Sequence, residues 1–254
     1  MIQHFRFGSP IRTDSVVQDI PVSSDAVPFL TADADGWVYT MAPDAIVYGL
    51  GEMPRGINKR GWHYVANNTD ESHHGENKVS YYGAHNFLLI DGGPGGDLFG
   101  VFVDFPGKVH YDIGYTVHDT LRFATEEPDY ELYILTGADP NDIAHQFRQL
   151  IGRSYIPPKW AFGLQQSRWG YKTAEDVREV ARQYKENDLP LDMICMDIDY
   201  MQDYADFTIN KERFPDLAAL AAELKAQGIR LVPIIDAGVR IDPEEPTCTE
   251  GLEK

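Results

Sequence analysis

Residues 160–200, WAFGLQQSRWGYKTAEDVREVARQYKENDLPLDMICMDIDY, predict a strand, a helix and a second strand. The mostly apolar run 160–165 predicts the first strand. Thr173, with Asp176 three residues later, is the capping-box pattern that begins a helix. The short apolar run 191–196 predicts a strand buried on both faces, as parallel strands are. The helix between them has one apolar face at helical spacing, made of Val177, Val180, Ala181 and Tyr184.

Polar and aromatic residues follow these strands at the point where each strand ends. Trp169 follows the first strand, Asp197 follows the second, and Asp236 ends a third apolar run, 229–235. Because βα proteins bind their ligands at the carboxyl ends of parallel strands, these residues predict a ligand site. The repeated strand and helix pattern predicts the first three βα units of a (β/α)8 TIM barrel.

The amino-terminal part of the chain has the pattern of an all-β domain. Short apolar runs separated by Gly, Pro, Asp and Asn predict a β-sandwich of two antiparallel sheets over residues 1–136. Phe99, Val101 and Val103 alternate with Gly100 and Phe102, so this strand is expected to be covered on both faces. The predicted strands are 3–7, 37–41, 46–50, 87–90, 98–105, 109–113, 120–124 and 130–135.

A linking helix separates the two predicted domains. Asp139 as N-cap and Pro140 at the first helical position begin it, and Pro157-Pro158 mark a boundary after it. We therefore expect a sandwich domain over 1–136, a linker over 137–158 and a barrel part over 159–254. A complete barrel needs about 200–250 residues, so the barrel is incomplete in this chain. We expect the front part of a longer protein; the alternative is a second polypeptide that completes the barrel.

The chain of 254 residues has 40 acidic and 22 basic residues, a formal net charge of -18. This charge argues against nucleic acid or an anionic membrane surface as partner, since both attract basic proteins. The amino terminus lacks the pattern of a signal peptide, and no apolar run approaches the ~20 residues of a membrane span. Cys195 lies in a predicted buried strand, so a disulfide with Cys248 has little support, and we expect a reduced, cytoplasmic protein.

A series of motifs in a fixed order resembles glycoside hydrolase family 31, the α-glucosidase group. The resemblance implies a retaining hydrolase that removes terminal non-reducing α-linked glucose from α-glucoside oligosaccharides without a cofactor or metal. It leaves open whether the protein is a homo-oligomer. The motifs are Tyr48-Gly49-Leu50-Gly51-Glu52, Asn68-Thr69-Asp70, Gly152-Arg153 through Pro157-Pro158-Lys159-Trp160-Ala161-Phe162-Gly163, Arg168-Trp169-Gly170-Tyr171, Asp197-Ile198-Asp199-Tyr200-Met201, Asp206-Phe207-Thr208, Arg213-Phe214-Pro215-Asp216 and Ile234-Ile235-Asp236.

One departure from the family pattern concerns the chemistry itself. The family's nucleophile lies in a W-x-D-M-N-E type motif on the fourth barrel strand, and its acid/base Asp lies later; neither motif is in this sequence. We therefore expect this chain to carry the substrate-binding side, to contain no catalytic residue and to be inactive alone. The competing interpretations are a non-catalytic carbohydrate-binding or interaction protein, if 254 residues is the full product, and a related α-xylosidase.

The resemblance assigns six residues to the substrate pocket. Without it, Asp197 and Asp199 could be a catalytic carboxylate pair, Asp70 would be a turn residue, and Asp236 could serve only to pair with an Arg. With it, Asp197 binds sugar hydroxyls, Asp199 is structural, and Trp169 forms a flat pocket wall. Ala237 stands where many relatives have Pro, which affects the rigidity of its loop. The predicted substrate-binding residues are Asp70, Trp169, Asp197, Ile198, Ile234 and Asp236.

Overall fold

The apolar runs at the amino terminus form two five-stranded antiparallel sheets in the computed structural model, which describes residues 1–236 and 238–253. The first sheet contains β1 (Ile2–Phe7), β10 (Tyr130–Thr136), β7 (Leu98–Asp104), β6 (Ala84–Asp91) and β4 (Ile46–Gly51), in that order. The second contains β2 (Leu30–Asp33), β3 (Gly36–Thr40), β9 (Thr120–Thr125), β8 (Val109–Ile113) and β5 (Trp62–Ala66). The predicted pair of antiparallel sheets is confirmed.

The two sheets share one hydrophobic core. Phe99 and Val101 of β7 lie in this core together with Tyr111 of β8 and Phe123 of β9. The opposite face of β7 is also covered, because Phe102 packs edge-on against Phe147 of the helix α1 (Pro140–Leu150), with 5.3 Å between the ring centroids. This strand is therefore buried on both faces, as its composition predicted.

All eight predicted strands of this unit are present, with ends that differ by a few residues. Two further strands, β2 and β5, were missed, and both are edges of the second sheet. An edge strand with one covered face needs few apolar residues, and β2 shows only Leu30 as a buried residue. Its sequence, LTAD, therefore carries too little apolar alternation to indicate a strand.

The predicted linking helix is present as α1. Asp139 caps it by accepting a hydrogen bond of 2.9 Å from the Asp142 N–H, and Pro140 is its first residue. The structure separates into two compact units, Met1–Ser154 and the part from Tyr155 onward. Helix α1 belongs to the first unit, where Ile143 and Leu150 are fully buried. The predicted division into 1–136, 137–158 and 159–254 stays a prediction.

The second unit contains a three-stranded parallel sheet in the order β11 (Gln165–Arg168), β12 (Met193–Met196) and β13 (Arg230–Pro233). Helix α2 (Ala174–Glu186) connects the first two strands, α3 (Leu217–Ala226) precedes the third, and α4 (Pro246–Glu253) follows it. The capping box at the start of α2 is present, since Thr173 and Asp176 each accept a hydrogen bond from the other's backbone. Among the described residues, no helix is both long and apolar enough to cross a membrane.

The position predicted for the first strand of this sheet is wrong. Trp160 to Phe162 lie in a short 3₁₀ helix, Lys159–Phe162, and the strand begins only at Gln165. The Ala161 N–H donates to the Pro158 carbonyl, which turns the chain directly after the prolines. The strand itself is polar, and its pairing with β12 rather than its own apolar content fixes its position.

The motif Tyr48 to Glu52 forms an irregular end of β4. The pairing of β4 with β6 shifts register between Gly49 and Gly51, and the fully buried Leu50 between them has a φ of 65°. Gly49 has a φ of 125°, and a Cβ atom there would lie 2.1 Å from the Phe87 carbonyl oxygen. The glycines are therefore required by the backbone conformation and by the close approach of β6.

We predict that Gly49→Ala destabilises the first unit by at least about 2 kcal/mol, because the methyl group collides with backbone in a strained conformation. Gly56→Ala is the matched control, since a Cβ atom there meets nothing within 4 Å and its φ is ordinary. Urea unfolding measures both variants. Equal midpoints for the two variants would contradict the argument.

A second pair of variants tests the buried hydroxyl of Tyr111. Its side chain is 1% exposed, and the hydroxyl has no hydrogen-bond partner among the described residues. Tyr111→Phe is therefore expected to be neutral or stabilising by about 1 kcal/mol. Tyr130→Phe is expected to destabilise by about 1 kcal/mol, because the Tyr130 hydroxyl accepts a 2.8 Å hydrogen bond from Trp37 Nε1. If Tyr111→Phe lowered the urea midpoint as much as Tyr130→Phe, the argument would be wrong.

Candidate active site

Three neighbouring parallel strands end at the same level of their sheet. Arg168 of β11 pairs with Met196 of β12, and Met196 pairs with Pro233 of β13. Arg168, Met196 and Pro233 are the last residues of their strands, so the residues after them lie along one edge of the sheet. Neighbouring strands in a sheet are about 4.8 Å apart. The residues that follow the three strands are Trp169, Asp197 and Ile234.

Asp197 is held in place by the turn that follows it. The carboxylate atom Oδ1 accepts a 2.7 Å hydrogen bond from the Ile198 N–H and caps a short 3₁₀ helix, Ile198–Tyr200. The residue is half-buried. An ionised carboxylate has two oxygens with several acceptor positions, so one short bond to the backbone leaves capacity for further hydroxyl donors. Asp197 is therefore an oriented acceptor at the end of the central strand.

The short 3₁₀ helix Ile198–Tyr200 places Ile198 and Asp199 toward the interior of the second unit. Ile198 is half-buried and packs against the hydrophobic core of this unit. Asp199 is 2% exposed, and its Oδ2 atom has no hydrogen-bond partner among the described residues. Because the chain leaves the strand conformation after Met196, strict alternation no longer decides which way Ile198 faces. Its role in the pocket stays a prediction.

Ile234 is fixed to the central strand by its backbone. Its N–H donates a 2.9 Å hydrogen bond to the Met196 carbonyl, and its carbonyl accepts a 2.8 Å bond from the Tyr200 hydroxyl. Burial, with a smaller contribution from Asp206, raises the pKa of Tyr200 and keeps that hydroxyl a donor. The Ile234 side chain is 42% exposed. Tyr200 thus positions the backbone of Ile234. The sequence shows Tyr200 only as part of a family motif, and nothing in it predicts this role.

Asp236 lies at the same edge and is exposed. Its backbone N–H donates a 3.0 Å hydrogen bond to Oδ1 of Asp206, which is 5% exposed. Asp206 therefore ties the loop after β13 to the loop after β12. Sequence reasoning used Asp206 only as a family motif, because no local pattern shows which distant N–H a buried carboxylate will bind. Ala237 lies outside the described residues.

Trp169 and the loop after β12 expose aromatic rings at this edge of the sheet. Trp169 lies in a turn with Gly170 and is 68% exposed, while Phe207 is 66% exposed. Tyr204 and Phe207 both have positive φ angles, 61° and 63°. Backbone strain of this kind in bulky residues costs about 1–3 kcal/mol each and is often found near functional sites. The ring of Trp169 is open to a ligand.

Asp70 lies in the first unit, in the loop that follows β5. It is exposed and hydrogen-bonds the hydroxyl of Tyr82, which raises the pKa of that Tyr. The loop is anchored by Asn68, whose side chain accepts a 2.8 Å bond from the Ala84 N–H. The structure thus places four of the predicted residues, Trp169, Asp197, Ile234 and Asp236, along one sheet edge and Asp70 in the other unit. Among the described residues, no group of three or more His, Cys, Asp or Glu could hold a metal ion.

Two family models match the chain. The model of the glycosyl hydrolases family 31 TIM-barrel domain matches residues 154–254, and that of the glycosyl hydrolase 31 N-terminal galactose mutarotase-like domain matches residues 19–112. The second match agrees with the two antiparallel sheets of the first unit. The first match includes the three strand ends and the residues that follow them.

The chain spans about a quarter or less of two curated relatives that it matches. Alpha-glucosidase 2 of Bacillus thermoamyloliquefaciens is 40% identical over 81% of the chain, which spans 26% of that protein. Intestinal sucrase-isomaltase of Homo sapiens is 32% identical over 84% of the chain, which spans 12% of that protein.

Solved structures also match the chain. A GH31 dextranase of Flavobacterium johnsoniae complexed with isomaltotriose superposes with a TM-score of 0.69 at 26% identity, covering 82% of this chain and 25% of the dextranase. The ER glucosidase II heterodimeric complex matches with a TM-score of 0.72. The match covers 85% of this chain and 26% of the glucosidase II chain, and its identity of 22% shows the fold alone. From these matches in both units, the chain belongs to glycoside hydrolase family 31.

Proposed function

We propose that this chain is the substrate-binding part of an α-glucosidase that releases terminal non-reducing α-linked glucose from oligosaccharides with retention of configuration. The observation that carries the proposal is the position of Asp197 at the end of a central parallel strand, between Trp169 and Ile234. The 40% identity to an alpha-glucosidase supports the choice of substrate. In this proposal the three strands of the second unit are the first three of a (β/α)8 barrel.

In the proposed pocket, each residue type has a role that suits a sugar. The carboxylate of Asp197 accepts hydrogen bonds from two neighbouring hydroxyls and so fixes the orientation of the ring. The exposed ring of Trp169 offers a flat apolar face to the C–H surface of the sugar. Asp236 adds an acceptor at the rim, and the side chains of Ile198 and Ile234 form an apolar wall. Asp70, in the first unit, is proposed as a further substrate-binding residue.

The reaction needs two catalytic carboxylates, and neither is among the residues proposed for this pocket. A retaining glycosidase uses one carboxylate as nucleophile and another as acid/base, about 5–5.5 Å apart. We propose that both lie in barrel strands after Lys254, which fits a chain that spans 26% of its bacterial relative. The chain alone is then inactive and needs no cofactor for its part. The cytoplasmic location and a homo-oligomeric state stay predictions.

We predict that Asp197→Ala in the full-length protein lowers kcat/KM for maltose by about a hundredfold, or about 3 kcal/mol. The reason is that hydrogen bonds to the sugar hydroxyls tighten in the transition state. Asp192→Ala is the matched control, because Asp192 lies at the amino end of the same sheet and its Oδ2 accepts a 3.0 Å bond from the Leu164 N–H. The control is expected to lower stability and to leave kcat/KM unchanged. Unchanged kinetics in Asp197→Ala would remove Asp197 from the pocket.

A further prediction concerns the glycosidic linkage. A bulky Trp169 crowds the side of the leaving sugar, and an α-1,6 bond has one more rotatable bond with which to avoid it. Trp169→Tyr is therefore expected to lower the ratio of isomaltose to maltose turnover. Trp160→Tyr, in the 3₁₀ helix at the amino end of the sheet, is expected to leave the ratio unchanged. The same ratio in Trp169→Tyr as in the unaltered protein would show the idea to be wrong.

A further inference from the structure

The first unit contains a polar cavity of about 690 Å³, within the range of about 300–1,000 Å³ that small-molecule sites occupy. It lies between the outer ends of β1, β10 and β7 and residues 8–20, which we call the strap. Arg6 of β1 pairs with Glu131 of β10, and Glu131 pairs with Asp104 of β7, so three charged residues lie side by side across three strands.

The strap is tied down at three points along its length. The Thr13 hydroxyl donates a 2.7 Å hydrogen bond to Oδ1 of Asp104, and the Val17 N–H donates a 2.9 Å bond to the Leu150 carbonyl. The Ile20 carbonyl lies 2.7 Å from Nδ1 of His4. The cavity is therefore formed before any ligand arrives, which lowers the entropy cost of binding.

His4 presents an unused hydrogen-bonding atom inside this buried cluster. The residue is 4% exposed, and its ring stacks on Tyr133 with 4.5 Å between centroids. Since the Ile20 carbonyl only accepts, Nδ1 of His4 carries a hydrogen and donates to it. Nε2 lies 3.4 Å from Oε1 of Glu131 but has no hydrogen-bond partner among the described residues. A buried polar atom of this kind costs free energy unless a ligand or water bonds to it.

The two carboxylates beside His4 add further acceptors. Asp104 is 8% exposed, and burial raises its pKa, with the hydrogen bond from Thr13 acting in the opposite direction. Burial also acts to raise the pKa of Glu131, but hydrogen bonds from Arg6 and Tyr133 outweigh it, so the pKa of Glu131 is lowered. The Arg6 Nε donates to Glu131 at 2.7 Å, which compensates that charge. The cavity thus combines several acceptors with a negative lining, because four carboxylates, those of Asp14, Asp19, Asp104 and Glu131, face two guanidinium groups, those of Arg6 and Arg12.

We propose that this cavity binds a neutral polyhydroxylated ligand of monosaccharide size, separately from the pocket at the strand ends. Sugar hydroxyls both donate and accept hydrogen bonds, so they match the carboxylates of Asp104 and Glu131 and the Nε2 atom of His4. A phosphate would meet four carboxylates of the lining, so an anionic ligand is disfavoured. Arg6 and Arg12 already pair with Glu131 and Asp14, which leaves fewer unpaired charges to attract a cation. The proposal concerns the first unit alone and does not rest on the proposed catalytic function.

Hydrogen–deuterium exchange, read by mass spectrometry on the full-length protein, tests this directly. With rising D-glucose, peptides that cover the strap and residues 129–135 are expected to gain protection that saturates. Inorganic phosphate and ethanolamine, the charged probes, are expected to give no protection there. Protection by glucose confined to peptides around Asp197, or protection of the strap by a charged probe instead, would overturn the proposal.

Variants of the cavity locate the effect on single residues. His4→Gln and Asp104→Asn are each expected to raise the glucose concentration that gives half-maximal strap protection by about tenfold. The reason is that each variant weakens a hydrogen bond between the ligand and a buried polar group. Glu126→Gln is the matched control, because this half-exposed carboxylate contacts Lys108 and His110, outside the cavity. An unchanged concentration in both cavity variants would overturn the proposal. If the variants fold poorly, the titration of the unaltered protein alone decides it.

Discussion

The burial of β12 between two parallel neighbours is the constraint on which the candidate active site depends. Ile194 and Met196 are 0% and 1% exposed, so their side chains leave little freedom for another register. A shift by one residue would turn each of them to the opposite face of the sheet and would move the strand end. The same packing that stabilises the second unit therefore determines that Asp197 emerges at the level of Trp169.

The first unit depends on a comparable strand. β7 lies in the middle of its sheet, with the shared core on one face and α1 on the other. Its last residue, Asp104, extends past the apolar part of the sheet, beside Glu131 and beneath the strap. Polar groups at the ends of buried strands are thus found in both units. In each case the apolar interior fixes the position of the polar groups, and the polar groups contribute little to the burial themselves.

The sequence predicted those elements whose own residues are buried. Eight strands of the first unit, the cap of α1 by Asp139 and the capping box at Thr173 are all present, because apolar alternation and caps are local signals. It failed where a partner decides the structure. β2 is an edge strand with one buried residue, and β11 is a polar strand held by β12, so neither has a pattern of its own. β5, WHYVA, does alternate at Tyr64 and Ala66 but was missed. The same limit applies to the site: strand ends predicted Asp197, but the bonds from Tyr200 to Ile234 and from Asp236 to Asp206 join residues about thirty positions apart.

The way in which the strand-end carboxylates are held also bears on what they can bind. The hydrogen-bond partners that the structure shows for Asp197 and Asp206 are backbone N–H groups, those of Ile198 and Asp236. A neutral donor fixes the orientation of a carboxylate without cancelling its charge, whereas a bidentate Arg would occupy both oxygens. In a chain with a net charge of -18, such carboxylates repel anions and remain strong acceptors for neutral hydroxyl donors. Backbone N–H groups thus orient the carboxylates of Asp197 and Asp206 without neutralising them.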